Sequence, residues 1–77
     1  MGEFYPRLTD KISVLKFIHD REVVTAFDLM GKFDYTYYGA RWRLKMLAKQ
    51  RLIKRIGRGK YCLAEDGYNK LAHFGKL

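Results

Sequence analysis

Nine lysines and arginines fall between positions 36 and 60, and no aspartate or glutamate accompanies them. They are Arg41, Arg43, Lys45, Lys49, Arg51, Lys54, Arg55, Arg58 and Lys60. Tyr37, Tyr38 and Trp42 stand among them. A solvated face usually mixes its signs. Nine cations without an acid repel one another, and that repulsion costs stability unless a polyanion meets them. The chemistry such a stretch suits is capture of nucleic acid, the default polyanion for a soluble protein. The competing explanation is a basic surface kept for solubility. The net charge of the whole chain is +8, so the excess is confined to this segment.

Other chemistries find little support. Ser13 is the sole serine and has no neighbouring histidine, so a nucleophilic site is not expected. One cysteine, Cys62, excludes an internal disulfide and a four-thiolate zinc site. His19 and His73 lie far apart in sequence and do not suggest a metal site. Gly57-Arg58-Gly59 does not follow the strand-to-helix pattern of a phosphate-cradling loop. Glu65-Asp66 reads as a helix N-terminus and not as a catalytic carboxylate pair. No enzyme, cofactor, metal or small-molecule ligand is therefore expected.

The elements that would carry these cations follow from periodicity. With 77 residues the chain is one domain with a thin core, and 48% hydrophobic content makes it globular. No apolar run approaches the roughly 20 residues of a membrane span, and the first residues lack a signal pattern. A cytoplasmic, nucleoid-associated protein is expected. Phe4-Tyr5-Pro6 reads as part of an extended arm over 1–7. Thr9 or Asp10 is placed to cap a first helix running to about Asp20, with Leu8, Ile12, Leu15 and Ile18 as its buried stripe. Val14 flanks that stripe, and Phe17 falls on the far side. Glu22-Val23-Val24-Thr25 reads as a stub of strand. Thr25 and Asp28 form a capping box for a short helix over about 26–32, burying Leu29, Met30 and Phe33. A tight turn, Phe33-Asp34-Tyr35, leads to Thr36 as the next N-cap. The third helix, 36–50, places Tyr37, Ala40, Leu44, Leu47, Ala48 and the stem of Arg51 on one face. Tyr38, Trp42, Lys45, Met46 and Lys49 point the other way, with Arg41 and Arg43 on the flanks. A hairpin spans 52–63, turning at Gly57-Arg58-Gly59. A last helix runs over 65–74, with Leu71 and Phe74 on one face and Gly67 where another element can approach closely.

A short helix joined by a three-residue turn to a longer one is a helix-turn-helix unit. The stretch from Thr36 to Leu71 resembles the winged helix-turn-helix regulators of bacteria and archaea, in particular the ArsR, MarR and PadR groups. Thr36, Ala40, Leu44 and Leu47, the tripeptide Arg51-Leu52-Ile53, Arg55, Gly59 through Leu63, Glu65-Asp66-Gly67 and Leu71 carry the likeness. With the first two helices it covers about 8–74. It implies an α+β winged helix-turn-helix fold: a three-helix core, a small β-hairpin wing and a C-terminal helix, all in a single domain over 1–77. The chain departs from the pattern at Arg51, where glycine is common, so that turn need not be left-handed. It departs again at Ala64, where threonine usually caps the last helix. It also lacks the Cys and His ligands of the metal-sensing ArsR members, so metal sensing does not carry over.

The resemblance implies that the third helix enters a DNA major groove by its N-terminal half. Thr36, Tyr37, Tyr38, Arg41, Trp42 and Lys45 are then the contact candidates, although the wheel sets Tyr37 at the edge of the core. Arg41 suits bidentate reading of guanine. Lys45, Lys49 and Lys54 suit phosphates, which position the protein without reading sequence. Trp42 has three competing roles: packing on DNA, covering the base of the hairpin, or joining a partner. Arg58 at the hairpin tip, flanked by Arg55 and Lys60, suits the narrow, negative minor groove, or only keeps the tip soluble. Phe17, with Phe4, Tyr5, Tyr68 and Phe74, signals extra apolar surface. Either the N-terminal arm and last helix fold back over it, or two chains share it. The expected function is sequence-specific binding of double-stranded DNA by a homodimeric transcription regulator. The alternative is a winged-helix module that docks protein or RNA within a larger complex.

Overall fold

The computed structural model describes residues 8–75, and the N-terminal arm expected over 1–7 lies outside them. Its elements are α1 (Leu8–Arg21), α2 (Ala26–Phe33), α3 (Tyr37–Lys49), β1 (Ile53–Gly57), β2 (Lys60–Leu63) and α4 (Glu65–His73). This is an α+β architecture of four helices and one two-stranded antiparallel hairpin.

Helix α1 begins at Leu8, so Thr9 and Asp10 fall in its first turn and neither is its N-cap. Val14, Leu15 and Ile18 are fully buried, while Ile12 is only half-buried. Val14 is thus central to the buried stripe, because α1 is covered from two sides, by α4 and by β2. The side chain of Leu8 lies outside the described residues. Whether the arm covers Phe17 lies outside the described residues. Phe17 meets Phe33 of α2 edge to face, with ring centroids 5.5 Å apart.

The strand stub shrinks to a single bridge. Val24 exchanges two backbone hydrogen bonds of 2.9 Å with Tyr61, which sets β2 between β1 and residue 24. Helix α2 opens on the expected capping box: the Thr25 N–H donates to Asp28 Oδ2 at 2.9 Å, and the Asp28 N–H donates to Thr25 Oγ1 at 3.4 Å. It ends beyond Gly31, at Asp34, whose φ of 64° is left-handed. An aspartate tolerates that conformation better than most residues.

Thr36 caps α3, accepting a hydrogen bond from the Gly39 N–H at 3.0 Å. After α3 the chain turns through Arg51, which adopts φ 65°. The turn is left-handed although no glycine occupies it, because the Leu52 N–H must reach back to the Leu47 carbonyl at 3.0 Å. The hairpin pairs Ile53 with Leu63, Lys54 with Cys62, Arg55 with Tyr61 and Gly57 with Lys60, leaving Ile56 in a bulge. Helix α4 has Ala64 at its N-cap position and so no side-chain cap. It packs so tightly on the sheet that a Cβ on Gly67 would overlap the Leu52 carbonyl oxygen. Leu71 is fully buried, but Phe74 is exposed, because α4 ends at His73 and Phe74 leaves the helical register.

The core is one cluster drawn from every helix and from β1, with Leu15, Ile18, Leu29, Leu44, Leu47, Ile53 and Leu71 at its centre. No helix among the described residues is long and apolar enough to cross a membrane.

Candidate nucleic-acid interface

A groove of about 730 Å³ opens between the outer face of α3, the N-terminus of α2 and the hairpin. Seven of the sequence candidates line it: Tyr37, Tyr38, Arg41, Trp42, Lys45, Arg55 and Arg58. No acidic side chain is among its lining residues. The arrangement follows from periodicity. Positions 38, 41, 42 and 45 fall on one helical face because they are spaced three, four and seven residues apart. Ala40, Leu44 and Leu47 anchor the opposite face in the core.

Tyr38 is 80% exposed and Trp42 is 53% exposed, so about half of the indole surface is open to a ligand. Tyr37 sits at the core edge, as its wheel position implies, and still reaches the groove. Its ring lies 5.4 Å from that of Phe27, and the Arg41 guanidinium lies over it at 5.7 Å. A cation held on an aromatic face is oriented before any ligand arrives. On the hairpin, the pleat turns Arg55 and Tyr61 into the groove as a cross-strand pair. The Arg55 Nε–H donates to the Gly57 carbonyl at 3.1 Å, which steadies the hairpin near its tip. Gly59, with φ 68°, makes the tip turn and leaves Arg58 exposed.

The remaining four candidates are not in the groove. Thr36 is at its edge as the α3 cap. Lys54 pairs with Cys62 and so lies on the other face of the hairpin. Lys49 is exposed one turn beyond Lys45, and Lys60 is exposed beside the tip. Lys49 and Lys60 flank the groove and suit contacts to a backbone, whereas Lys54 faces away from it.

Arg43 departs from the expectation of a flank cation. It is only 8% exposed, and its Nε–H donates to the Tyr35 hydroxyl at 3.2 Å. Its Nη2 has no hydrogen-bond partner among the described residues. Lys11 is close enough to feel its charge. Burial first, then the charges of Lys70 and Arg43, hold the Lys11 ammonium below its usual pKa. The basic stretch therefore serves two ends, one packed behind α3 and one presented in front of it. Among the described residues, the ion pairs involve Lys16, His19 and Arg21 of α1 with Asp20 and Asp28. Among the described residues, none of the nine cations of 36–60 is neutralised in this way.

Sequence reasoning missed Thr25, Ala26, Phe27 and Tyr61 as groove residues. Phe27 had a visible signal. It lies off the stripe of Leu29, Met30 and Phe33, and is 68% exposed at the start of α2. Tyr61 depends on strand direction, which the sequence of 52–63 does not define because Leu52, Ile53 and Ile56 fail to alternate. No group of three or more metal-ligating side chains occurs among the described residues.

Comparison with protein-family models, curated proteins and solved structures finds no match to this chain.

Proposed function

We propose that this chain is a winged helix-turn-helix protein that binds double-stranded DNA. In this reading α2 and α3 are the helix-turn-helix and the hairpin is the wing. The observation that carries it is the acid-free groove, in which exposed aromatic rings and the Arg41, Lys45, Arg55 and Arg58 cations come from three separate elements. α3 enters the major groove, whose width of about 12 Å admits a helix. Arg58 reaches the backbone or the adjacent minor groove. Thr36, Lys49 and Lys60 contact phosphates on either side and fix the register. Two copies acting on a two-fold operator would place their α3 helices about 34 Å apart. A regulator of this kind works by occupying its operator and blocking or recruiting polymerase.

The test is fluorescence anisotropy of labelled duplex DNA, with the protein added in the presence of random competitor. Arg41→Ala with Arg58→Ala is expected to weaken binding by about tenfold or more, while the melting temperature stays within about 2 °C. Both side chains are exposed and outside the core, and exposed substitutions usually move stability by under about 0.5 kcal/mol. Trp42 is the chain's single tryptophan, so its fluorescence reports whether the bound duplex occupies this groove. Unchanged affinity in the double variant contradicts the proposal.

A further inference from the structure

We infer that the exposed face of α3 selects its DNA through the C5-methyl groups of thymine, set beside a guanine held by Arg41. The inference rests on the duplex-binding reading above and names what that interface recognises.

Helix α3 lacks most of the side chains that read bases by hydrogen bonds. Its residues, Tyr37 through Lys49, include no Asn, Gln, Ser, Thr, Asp, Glu or His. Adenine is read in the major groove by the paired donor and acceptor of Asn or Gln, and cytosine through an acceptor such as Asp or Glu. Neither is available on this helix. Of the α3 side chains facing the groove, only Arg41 carries the guanidinium fork that matches guanine O6 and N7; Arg55 and Arg58 come from the hairpin, which lies outside α3. Lys45 is a single point charge one turn further on, equally suited to a phosphate.

Two large rings occupy the rest of that face. Tyr38 and Trp42 are separated by four residues and so stand one above the other. Both are largely exposed, at 80% and 53%. The one apolar group on the floor of the major groove is the thymine methyl, and apolar side chains discriminate thymine by touching it. Each ring has a single polar group, the Tyr38 O–H and the Trp42 N–H, and the rest of its surface is apolar and matches the methyl. Tyr38 and Trp42 flank Arg41 in sequence, and the Arg41 guanidinium is already held over the Tyr37 ring at 5.7 Å. The expected target is therefore a short step that combines guanine with thymine, with no demand for adenine or cytosine contacts.

The experiment uses the full chain. Duplexes are selected from a random pool, and the best of them is remade with every thymine replaced by deoxyuridine. This change removes only the methyl groups and leaves base pairing and charge intact. Burial of one methyl-sized group corresponds to about fourfold in affinity, so two contacts predict a loss of roughly tenfold to twentyfold. The Tyr38→Ala, Trp42→Ala variant is expected to bind the thymine duplex more weakly and to discriminate it from the deoxyuridine duplex by less than about twofold. Equal affinity of the unaltered protein for both duplexes overturns the inference and leaves duplex binding standing. Discrimination that persists in the double variant also overturns it, since the methyl effect then acts through duplex shape. Failure to bind any duplex overturns both readings together.

Discussion

Arg51 holds a left-handed backbone, with φ 65°, at the hinge between α3 and β1. A residue with a Cβ pays about 1–2 kcal/mol for that conformation. Its side chain is exposed and outside the groove, so nothing in the core compensates. Arg51→Gly is therefore expected to stabilise the chain by about 0.5–1 kcal/mol, after allowing for glycine's greater freedom when unfolded. Thermal melting should rise by a few degrees. Tyr35 illustrates the opposite sign. Its hydroxyl is the acceptor for the buried Arg43 Nε. Tyr35→Phe leaves that donor unmet in a site where Nη2 already has no partner. The expected cost is about 1–3 kcal/mol in chemical denaturation. No loss on this substitution would mean that water reaches the Arg43 guanidinium.

At the scale of elements, the close seat of α4 on the sheet is the most sensitive joint. Gly67 lies against the Leu52 carbonyl and the Leu63 side chain. Alanine favours a helix by up to about 1 kcal/mol over glycine. Here that gain is outweighed, because the neighbour is backbone and cannot yield without displacing β1. Gly67→Ala is expected to destabilise by about 2 kcal/mol net, read as a fall in melting temperature of roughly 8–16 °C. An unchanged melting temperature would show that α4 can lift from the sheet at no cost. This joint was legible in the sequence, as were both N-caps, the hairpin turn and the outward face of α3. Each is written in local residue types: Thr25 with Asp28, Thr36 before Tyr37, two glycines around Arg58. Features that depend on distant packing were not legible. Arg43 is buried because Tyr35 folds back from the preceding turn, and helical spacing alone left it on a flank. Phe17 meets Phe33 only once α1 and α2 are placed together. The left-handed turn at Arg51 follows from the path to β1, and an arginine there argues against it locally. Similarly, the groove's α3 wall could be read from a helical wheel, whereas Phe27 and Tyr61 needed the tertiary arrangement.

For the whole molecule, the decisive property is the separation of charge. The ion pairs described lie on α1 and α2, while Arg41, Lys45, Arg55 and Arg58 line one groove with no acidic partner among the described residues. Self-repulsion of this kind is relieved by a polyanion and screened by salt, with a Debye length near 8 Å at physiological ionic strength. Affinity for DNA should therefore fall steeply with salt, by about 0.9 in log affinity per log salt for every phosphate contacted. The groove and its flanks offer enough exposed cations for roughly four to six such contacts, which sets the slope near −4 to −5. The most direct test is a titration of duplex DNA across salt, followed by anisotropy and by Trp42 fluorescence in parallel. That slope is expected, with a change in Trp42 emission on binding and a slope shallower by about one in the Arg41→Ala, Arg58→Ala variant, from loss of the Arg58 contact to the backbone. Binding that is absent at low salt, or that leaves both Trp42 emission and the variant's slope unaltered, would contradict the assignment of this groove as the DNA-binding surface.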